Sequence, residues 1–275
     1  MASDLVRLAG ELLASGPYKQ EVTARRVRTL FNNTYVADTT SAVHVWEHPS
    51  YPQFYLPLAA VAPNLVTKHA SHPIDKHGSA FPATLKVGDK STDRVLLFEK
   101  GPLAGLVRFE FRTMGEKSSR MTEGKRSNRR FVDEDAWFEE DREIYGHPKD
   151  PYKRIDTIPS SRTVTISIDG QVVAESNNVM ILLETTLPTR YYLPKPSLNL
   201  ALASPSTTTS LCPYKGVAEY YNITVNGKEY KDIIWWYRYP TSESLEIAGR
   251  ISGYNEKLDF SIDGVLQERP RSKFG

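Results

Sequence analysis

The segment 210–221, SLCPYKGVAEYY, holds the residues whose types and spacing are best suited to chemistry. Cys212 is the only cysteine of the chain, and Lys215 follows three positions later. A thiolate or a neutral lysine amine can attack a carbonyl carbon when its surroundings lower the pKa of the group. Gly216 predicts a turn whose backbone can approach a ligand closely. The segment therefore predicts a site in which either Cys212 or Lys215 carries the chemistry.

Lys215 is the better placed of the two. Desolvation by Tyr214 and other rings would lower the pKa of Lys215, which could then act as a base or as a Schiff-base amine. The alternative is a solvated lysine on a turn. For Cys212, a place in the core or in a cleft wall is favoured, because a free cysteine usually behaves as a small hydrophobe. No histidine follows His147 to activate the thiol.

Two charged residues elsewhere in the second half, Arg190 and Glu243, could complete such a site. Arg190 is followed by Tyr191 and Tyr192, and a planar guanidinium beside aromatic rings suits the binding of a carboxylate or a phosphate. The alternative is an arginine that bridges a strand end to a loop carbonyl. Glu243 could be the catalytic base or the partner of Lys215 and Arg190, and a surface salt bridge is the alternative for it.

The densest aromatic cluster of the sequence contains Trp235, Trp236 and Tyr237. Alternate side chains of a strand point to opposite faces, so Trp235 and Tyr237 share one face and Trp236 occupies the other. One face would belong to the core, and the other would offer a stacking wall for a flat ligand. We expect Trp235 and Tyr237 to line a ligand site together with Tyr192 and Tyr214.

Two further polar segments are weaker candidates. His69, His72 and His77 lie near Asp75, a spacing that could bind a metal ion, but a proline and a glycine in this stretch predict an irregular loop. Residues 118–131, SSRMTEGKRSNRRF, are basic but lack interleaved aromatic residues, so a surface loop is favoured over an RNA contact. We expect no nucleic-acid partner and no resident metal, although the histidine loop leaves metal binding open.

The composition is that of an ordinary globular protein. Of 275 residues, 40% are hydrophobic and 25% are charged, and the formal net charge is +2. This balance gives no strong field for acidic partners. The first residues lack the apolar core of a signal peptide, and no apolar run reaches the roughly 20 residues that span a bilayer. We expect a cytoplasmic protein without a membrane partner, and its oligomeric state stays open.

The elements that must position these residues are mainly strands. Five apolar residues near the N-terminus recur at helical spacing and predict one amphipathic helix over residues 3–15. Beyond it, short runs rich in Val, Ile, Thr and Tyr alternate with turn residues, as in 162–176 and 220–232. Asp169-Gly170 and Asn226-Gly227 are strong signals for two-residue hairpin turns. The fold class is therefore mainly β, with antiparallel sheets and a short N-terminal helix.

The chain contains an internal duplication. Residues 25–57 align without a gap to residues 162–194, with eight identical positions of 33. The flanking segments GPYK and LAGLV are mirrored by DPYK and IAGRI in the same order. Chance rarely produces three matches in one order. We therefore predict two tandem β domains, at residues 1–134 and 135–275.

The two copies are unequal in their polar residues. Gln53 stands where the second copy has Arg190, and the first copy has KHASHPIDKHGSAFP in place of the Cys-Pro-Tyr-Lys-Gly turn. A duplicated domain that loses polar residues while keeping its apolar pattern has usually lost its site and kept its scaffold. The N-terminal domain is therefore predicted to be degenerate, and the C-terminal domain to hold the site.

The second copy resembles the domain family known as DUF427, also filed as a nucleotidyltransferase-like domain. The resemblance rests on TTLPTRYYLP (185–194), SPSTTTSLCPYKGVAEYYNITVNGK (204–228), DIIWWYRYP (232–240) and EIAGRISGYNEKLDFSIDG (246–264). It covers residues 135–264 with high specificity and residues 17–113 more weakly.

The resemblance implies a β-tent fold, in which two antiparallel sheets lean together over a cleft. Zinc-anchored tents use four cysteines, and this chain has one. Nucleotidyl transfer finds little support, because the chain lacks a Gly-Ser pair followed by spaced aspartates and lacks a P-loop.

Together these features predict a protein that binds a small anionic or aromatic molecule in its C-terminal domain. Arg190 would anchor the anion, and Lys215 and Glu243 would carry acid–base chemistry in a lyase, isomerase, cyclase or hydrolase step. Cys212 would line the site. No dinucleotide or flavin motif indicates a cofactor. The alternative is a non-catalytic module that senses a ligand or binds another protein.

Overall fold

The computed structural model describes residues 3–112 and 135–272. The chain divides into two compact units, Met1–Asp150 and Pro151–Gly275. Both are built almost entirely from antiparallel strands, as the alternating apolar pattern predicts.

The described part of the N-terminal unit contains helix α1 (Ser3–Ser15) and eleven strands. The strands are β1 (Lys19–Val22), β2 (Val27–Phe31), β3 (Thr34–Thr39), β4 (Val43–His48), β5 (Tyr51–Pro57), β6 (Val66–Lys68), β7 (Ala80–Val87), β8 (Lys90–Phe98), β9 (Leu106–Phe109), β10 (Ala136–Glu139) and β11 (Arg142–Ile144). A short 3₁₀ helix, Leu58–Ala60, follows β5.

The C-terminal unit also contains eleven strands among its described residues. They are β12 (Ile155–Ser160), β13 (Val164–Ile168), β14 (Gln171–Ser176), β15 (Val179–Glu184), β16 (Arg190–Pro194), β17 (Ala203–Cys212), β18 (Gly216–Val225), β19 (Lys228–Tyr237), β20 (Arg250–Gly253), β21 (Asp259–Ile262) and β22 (Val265–Leu266). Two 3₁₀ helices, Lys195–Ser197 and Ser242–Ile247, complete it.

The two units have the same topology, which confirms the predicted duplication. The seven-stranded sheets have the orders β1-β4-β5-β9-β8-β7-β6 and β12-β15-β16-β20-β19-β18-β17. The four-stranded sheets have the orders β3-β2-β10-β11 and β14-β13-β21-β22. Each strand of one unit therefore has a counterpart in the other, and the prediction of two tandem β-tent-like domains with one N-terminal helix is correct.

Both predicted hairpin turns are present. Asp169-Gly170 joins β13 to β14 with φ of 47° and 77°, and Asn226-Gly227 joins β18 to β19 with φ of 51° and 76°. Positive φ at both central residues is the type I′ geometry, whose twist matches that of the flanking strands.

A hydrophobic core fills the space between the two sheets of each unit. In the C-terminal unit, Ile166 and Phe260 of the small sheet pack with Leu193, Trp236 and Ile251 of the large sheet. We call this side of the large sheet its inner face, and the side turned away from the small sheet its outer face. The outer face therefore depends on other elements to cover it.

Helix α1 covers the outer face in the N-terminal unit. Its buried residues Leu5, Ala9 and Leu12 form one apolar stripe and pack in a cluster with Tyr55 of β5 and Phe98 of β8. The helix has the predicted bounds of residues 3–15.

The segment 135–150 belongs to the N-terminal unit, although the sequence boundary placed it in the C-terminal domain. Strand β10 pairs with β2, with Trp137 opposite Thr29 and Glu139 opposite Val27. Strand β10 takes the place that β21 has beside β13 in the C-terminal unit. Strands β10 and β11, which follow residues 113–134 in the sequence, thus complete the small sheet of the N-terminal unit.

Candidate functional site

The predicted aromatic residues meet on the outer face of the large sheet in the C-terminal unit. Tyr192 of β16 and Trp235 and Tyr237 of β19 belong to one buried cluster there, whereas Trp236 packs in the inner core. The predicted alternation of β19 is therefore correct. Trp235 Nε1 donates a hydrogen bond to Tyr192 Oη at 3.1 Å. This bond fixes the orientation of both rings.

Lys215 lies in the turn between β17 and β18, and its Nζ donates to a carboxylate oxygen of Glu184 at the end of β15. Lys153 Nζ lies 3.5 Å from the other oxygen of the same carboxylate. The side chain of Glu184 is 4% exposed, and those of the two lysines are each 12% exposed. One buried carboxylate therefore holds two ammonium groups, which we call the Glu184 cluster.

The ion pair decides the protonation state of Lys215. Burial acts to lower the pKa of Lys215, but the nearby Cys212 sulfur and the Glu184 carboxylate together raise it above its usual value. The expected lowering of this pKa, and with it a role as base or Schiff-base amine, is therefore not supported. As an ammonium group, Lys215 can bind an anion or donate a proton.

The backbone around Lys215 is held by its neighbours. The carbonyl oxygen of Tyr214 accepts hydrogen bonds from Thr241 Oγ1 and, at 3.3 Å, from Ser244 Oγ. Gly216 has a φ of 97°, and a Cβ there would lie 3.1 Å from the carbonyl oxygen of Tyr239. A glycine is therefore needed at this position. The ring of Tyr214 is buried, with Lys153 Nζ 5.2 Å from its centre.

Cys212 lies beside the Glu184 cluster. It ends β17 opposite Gly216, and its free thiol is half-buried. It is close enough to influence the pKa values of Lys215, Tyr192 and Tyr237. Burial raises the pKa of Tyr192 to about 12 and that of Tyr237 well above its usual value, so both phenols stay protonated. Cys212 thus lies next to Lys215, and its place in the lining of a ligand site stays a prediction.

Arg190 has a structural role in addition to its place near the aromatic rings. Its guanidinium donates to both carboxylate oxygens of Glu256, at 2.6 and 2.8 Å, and to Asn255 Oδ1. It also stacks near Trp235 and Tyr254, at 5.5 and 5.9 Å from the ring centres. An anion that binds Arg190 would therefore compete with a buried carboxylate. The alternative that Arg190 joins a strand to a loop describes these contacts better than an anion anchor does.

Glu243 is exposed, on the 3₁₀ helix Ser242–Ile247. Lys215 contacts the carboxylate of Glu184, and Arg190 contacts that of Glu256. A role for Glu243 in the site stays a prediction. Sequence reasoning did not select Glu184 and Glu256 for the site. Glu184 did carry a signal, because it is identical to Glu47 in the duplication, whereas Glu256 lies beyond the aligned segments.

The two units differ in the group that pairs with the shared glutamate. The side chain of Glu47, the counterpart of Glu184, is 9% exposed. Its cation is Arg108, whose Nε and Nη2 lie 2.5 and 3.1 Å from the two carboxylate oxygens. Tyr55 Oη donates to the same carboxylate at 3.0 Å. The glutamate is therefore common to both units, and the group that neutralises it differs.

Other residues on the outer face of the large sheet also differ between the two units. From the strand registers, Leu96 and Phe98 are the counterparts of Trp235 and Tyr237. Ala80 pairs with Phe98 as Ala218 pairs with Tyr237, so these two alanines are counterparts. His77 lies three residues before Ala80, and Lys215 lies three residues before Ala218, so His77 is the counterpart of Lys215. Apart from the buried Glu47–Arg108 pair, the N-terminal unit thus has an apolar outer face beneath α1. The C-terminal unit has Trp235, Tyr237 and Lys215 at the matching positions.

Ser252 of β20 adds an unusual feature to the C-terminal site. It lies opposite Trp235 in the strand ladder and is fully buried, and its hydroxyl has no hydrogen-bond partner within residues 3–112 and 135–272. Its counterpart in the N-terminal unit is Arg108. Val107 pairs with Leu56 as Ile251 pairs with Leu193, and Arg108 and Ser252 each come next in the sequence. Where one unit has a guanidinium, the other therefore has a buried hydroxyl without a described partner.

The weaker candidates do not join this site. His69 Nε2 is hydrogen-bonded to Thr84 Oγ1 at 2.8 Å, and His72 Nδ1 to Ser71 Oγ at 2.9 Å. Among the residues that the structure describes, no three His, Cys, Asp or Glu side chains are grouped closely enough to hold a metal ion. The basic run 118–131 lies outside the described residues.

Most of the sequence matches one protein family. The family model described as "Domain of unknown function (DUF427)" matches residues 19–109 and 156–264. The chain therefore belongs to the DUF427 family and carries the domain twice. No curated protein is detectably similar to it. No helix in the described ranges is long and apolar enough to cross a membrane.

Proposed function

We propose that the C-terminal unit binds a small molecule that has an anionic group next to a flat ring. We propose further that it catalyses proton transfer to or from this molecule without a cofactor. The observation that supports this proposal most strongly is the buried Glu184 cluster, with Lys215 as a protonated donor at the edge of an aromatic face. The equivalent face of the N-terminal unit is packed against α1, and its buried glutamate, Glu47, is already paired with Arg108.

The roles follow from the charges. Lys215, held as ammonium, would bind the anionic group or donate a proton, and Glu184 would be the proton acceptor once a ligand draws Lys215 away. Trp235 and Tyr237 would stack against the ring. Such proton transfer is compatible with a lyase, isomerase, cyclase or hydrolase step and requires no metal. The proposal includes a cytoplasmic location.

A non-catalytic ligand-binding module is the second candidate. It is favoured by the saturation of the two site cations, because Lys215 and Arg190 each already contact a buried carboxylate. In this case the aromatic face would recognise the ring, and the charged groups would hold the fold.

Saturation-transfer NMR on the full chain tests ligand binding. Benzoate and phenyl phosphate are the probes, and benzyl alcohol is the neutral control. We expect transfer to the two anions that is lost in Lys215→Met and kept in Arg108→Met, which removes the matching cation of the other unit. Equal transfer to benzyl alcohol, or unchanged transfer in Lys215→Met, would refute an anion site at Lys215.

Incubation with a metabolite extract separates the two candidates. An enzyme would consume one metabolite and form another, and Glu184→Gln should stop this turnover. A binding module would retain a metabolite through gel filtration without changing its mass.

A further inference from the structure

A cavity of about 180 Å³ lies between the two sheets of the C-terminal unit. Tyr191 of β16 lines it from the large sheet, and Phe260 of β21 lines it from the small sheet. None of its lining residues belongs to the Glu184 cluster, so the cavity is separate from the site proposed above. Residues from the loops around these two strands complete most of its wall, namely Pro188, Asn255, Glu268 and Pro270.

The two aromatic residues of the cavity have aromatic counterparts in the N-terminal unit. The aligned segments and the strand registers match Tyr191 to Phe54 and Phe260 to Trp137. The ring centres of Phe54 and Trp137 lie 6.0 Å apart, and those of Tyr191 and Phe260 lie 5.9 Å apart. The two units therefore hold the same pair of rings between their sheets.

Asn255 takes the position at which the N-terminal unit has Phe111. Phe109 of β9 and Gly253 of β20 pair with counterpart residues of the neighbouring strands, and Phe111 and Asn255 each follow two residues later. The ring of Phe111 is 3% exposed and stacks on Trp137, with 5.2 Å between the ring centres and 9° between the planes. In the N-terminal unit, an aromatic ring of the chain itself thus fills this place.

The side chain of Asn255 leaves the same place open in the C-terminal unit. Its Oδ1 accepts a hydrogen bond from Arg190, and its Nδ2 donates to the carbonyl oxygen of Thr189 at 3.1 Å. The cavity borders Asn255 and both aromatic rings. It therefore lies where the N-terminal unit has the ring of Phe111.

The size and the walls of the cavity suit one aromatic ring. An engineered cavity of about 150 Å³ with apolar walls binds benzene, and the cavity of the C-terminal unit has about 180 Å³. Pro188 and Pro270 add apolar surface to the two rings. Aromatic rings attract a further ring in offset-stacked or edge-to-face contact, which favours a planar aromatic occupant.

The charge of the lining selects the substituent on that ring. Glu268 is the only charged residue among the described residues that line the cavity, and it is exposed. The next residue, Arg269, is paired with Asp259 at 2.8 Å, whereas Glu268 has no ion-pair partner in residues 3–112 and 135–272. The carboxylate of Glu268 therefore attracts a cation and repels an anion.

We propose that this cavity is a second binding site, which takes a small aromatic amine. The ring of the amine occupies the place that Phe111 fills in the N-terminal unit and contacts Tyr191 and Phe260. Its ammonium group faces Glu268 at the rim. The site is independent of the Glu184 cluster, and Glu268 disfavours the anionic molecule proposed for that cluster.

NMR titrations of the full chain with benzylamine test this proposal. Cyclohexylmethylamine has the same charge without a flat ring, and benzyl alcohol has the ring without the charge. We expect benzylamine to bind, and each of the two controls to bind about fivefold more weakly. No binding of benzylamine, or equal binding of either control, would overturn the proposal.

Two variants locate the binding. Asn255→Phe introduces the residue of the N-terminal unit and should abolish benzylamine binding. Because this change also removes a contact to Arg190, Glu268→Gln is a second variant that leaves the core intact, and it should weaken binding about fivefold. Glu219→Gln, which removes a carboxylate outside the cavity, should leave binding unchanged. Unchanged binding in Glu268→Gln or in a folded Asn255→Phe, or equal weakening in Glu219→Gln, would contradict the assignment.

A crystal structure grown with benzylamine identifies the occupant directly. We expect its ring beside Tyr191 and Phe260. Benzylamine bound elsewhere would overturn the proposal. The ring of Phe274, a residue outside the described ranges, in the cavity would also overturn it, because the chain itself would then fill the site.

Discussion

Replacing Lys215 by Met tests whether the Glu184 cluster is a coupled ion pair. The side chain of Glu184 is 4% exposed, so removing its partner leaves a buried charge. Loss of one partner from a buried pair costs about 3–5 kcal/mol. Lys153 stays 3.5 Å from the carboxylate and retains part of the attraction. We therefore expect Lys215→Met to destabilise the C-terminal unit by the lower end of this range, about 3 kcal/mol.

The matched perturbation is Arg108→Met in the N-terminal unit. Glu47 then keeps the hydroxyl of Tyr55 but loses the guanidinium that contacts both of its oxygens. The expected cost is the upper end of the range, about 5 kcal/mol.

Urea unfolding of the full chain, read by hydrogen exchange of peptides from each unit, measures both costs separately. The double variant Lys215→Met/Glu184→Met should recover much of the loss, because an apolar pair leaves fewer unpaired buried charges. A loss below about 1 kcal/mol in Lys215→Met, as for an exposed pair, would refute the burial and the coupling of the cluster.

Three further predictions concern other parts of the two units. The pKa of His44 is about 4 in the folded protein and about 6.5 in unfolded chains, so the unfolded state binds the proton first as the pH falls. The free energy of unfolding of the N-terminal unit should therefore be full above about pH 6.5 and fall by about 3 kcal/mol towards pH 4. Urea unfolding at a series of pH values should show that this free energy depends less on pH in His44→Phe than in the wild type. An unchanged pH dependence in His44→Phe would assign the effect to another group. Arg190→Met should destabilise the C-terminal unit by about 3–5 kcal/mol in the same assay, against about 0–1 kcal/mol for Arg238→Met at an exposed pair, and equal effects would contradict the buried clamp. Gly216→Ala should lower the melting temperature more than Gly170→Ala, because both have positive φ but only the first Cβ meets a backbone oxygen; equal shifts would remove the argument for close approach.

Much of the fold could be predicted from the sequence because it is encoded locally. The apolar stripe of α1, the two type I′ turns and the alternation of Trp235, Trp236 and Tyr237 depend on neighbours within a few residues. The duplication was visible because a shared topology preserves the same apolar positions. The place of β10 was not predictable in this way, because its partner β2 lies more than 100 residues earlier.

The candidate site could be predicted only in part. Lys215, Cys212 and Tyr214 share one turn and were found together. Glu184 and Lys153 reach Lys215 from other strands and segments, and no spacing rule links residues so far apart. The fold brings the carboxylate of Glu184 to Lys215, and the role of Glu243 stays a prediction.

The protonation of Lys215 shows a second limit of sequence reasoning. Aromatic neighbours alone would lower the pKa of Lys215 through desolvation, which is the effect that the sequence indicates. A buried carboxylate and a nearby sulfur act in the opposite direction and prevail. The sign of such a shift depends on the three-dimensional partner, so it follows from the structure and not from the turn.

We expect the C-terminal unit to bind a small anionic molecule at Lys215, and the outer face of the N-terminal unit not to bind it. Native mass spectrometry of the purified full chain with added phenyl phosphate measures this binding. We predict one bound phenyl phosphate in the wild type and in Arg108→Met, and none in Lys215→Met. Retention of the bound mass in Lys215→Met, or its loss in Arg108→Met alone, would contradict the proposed site.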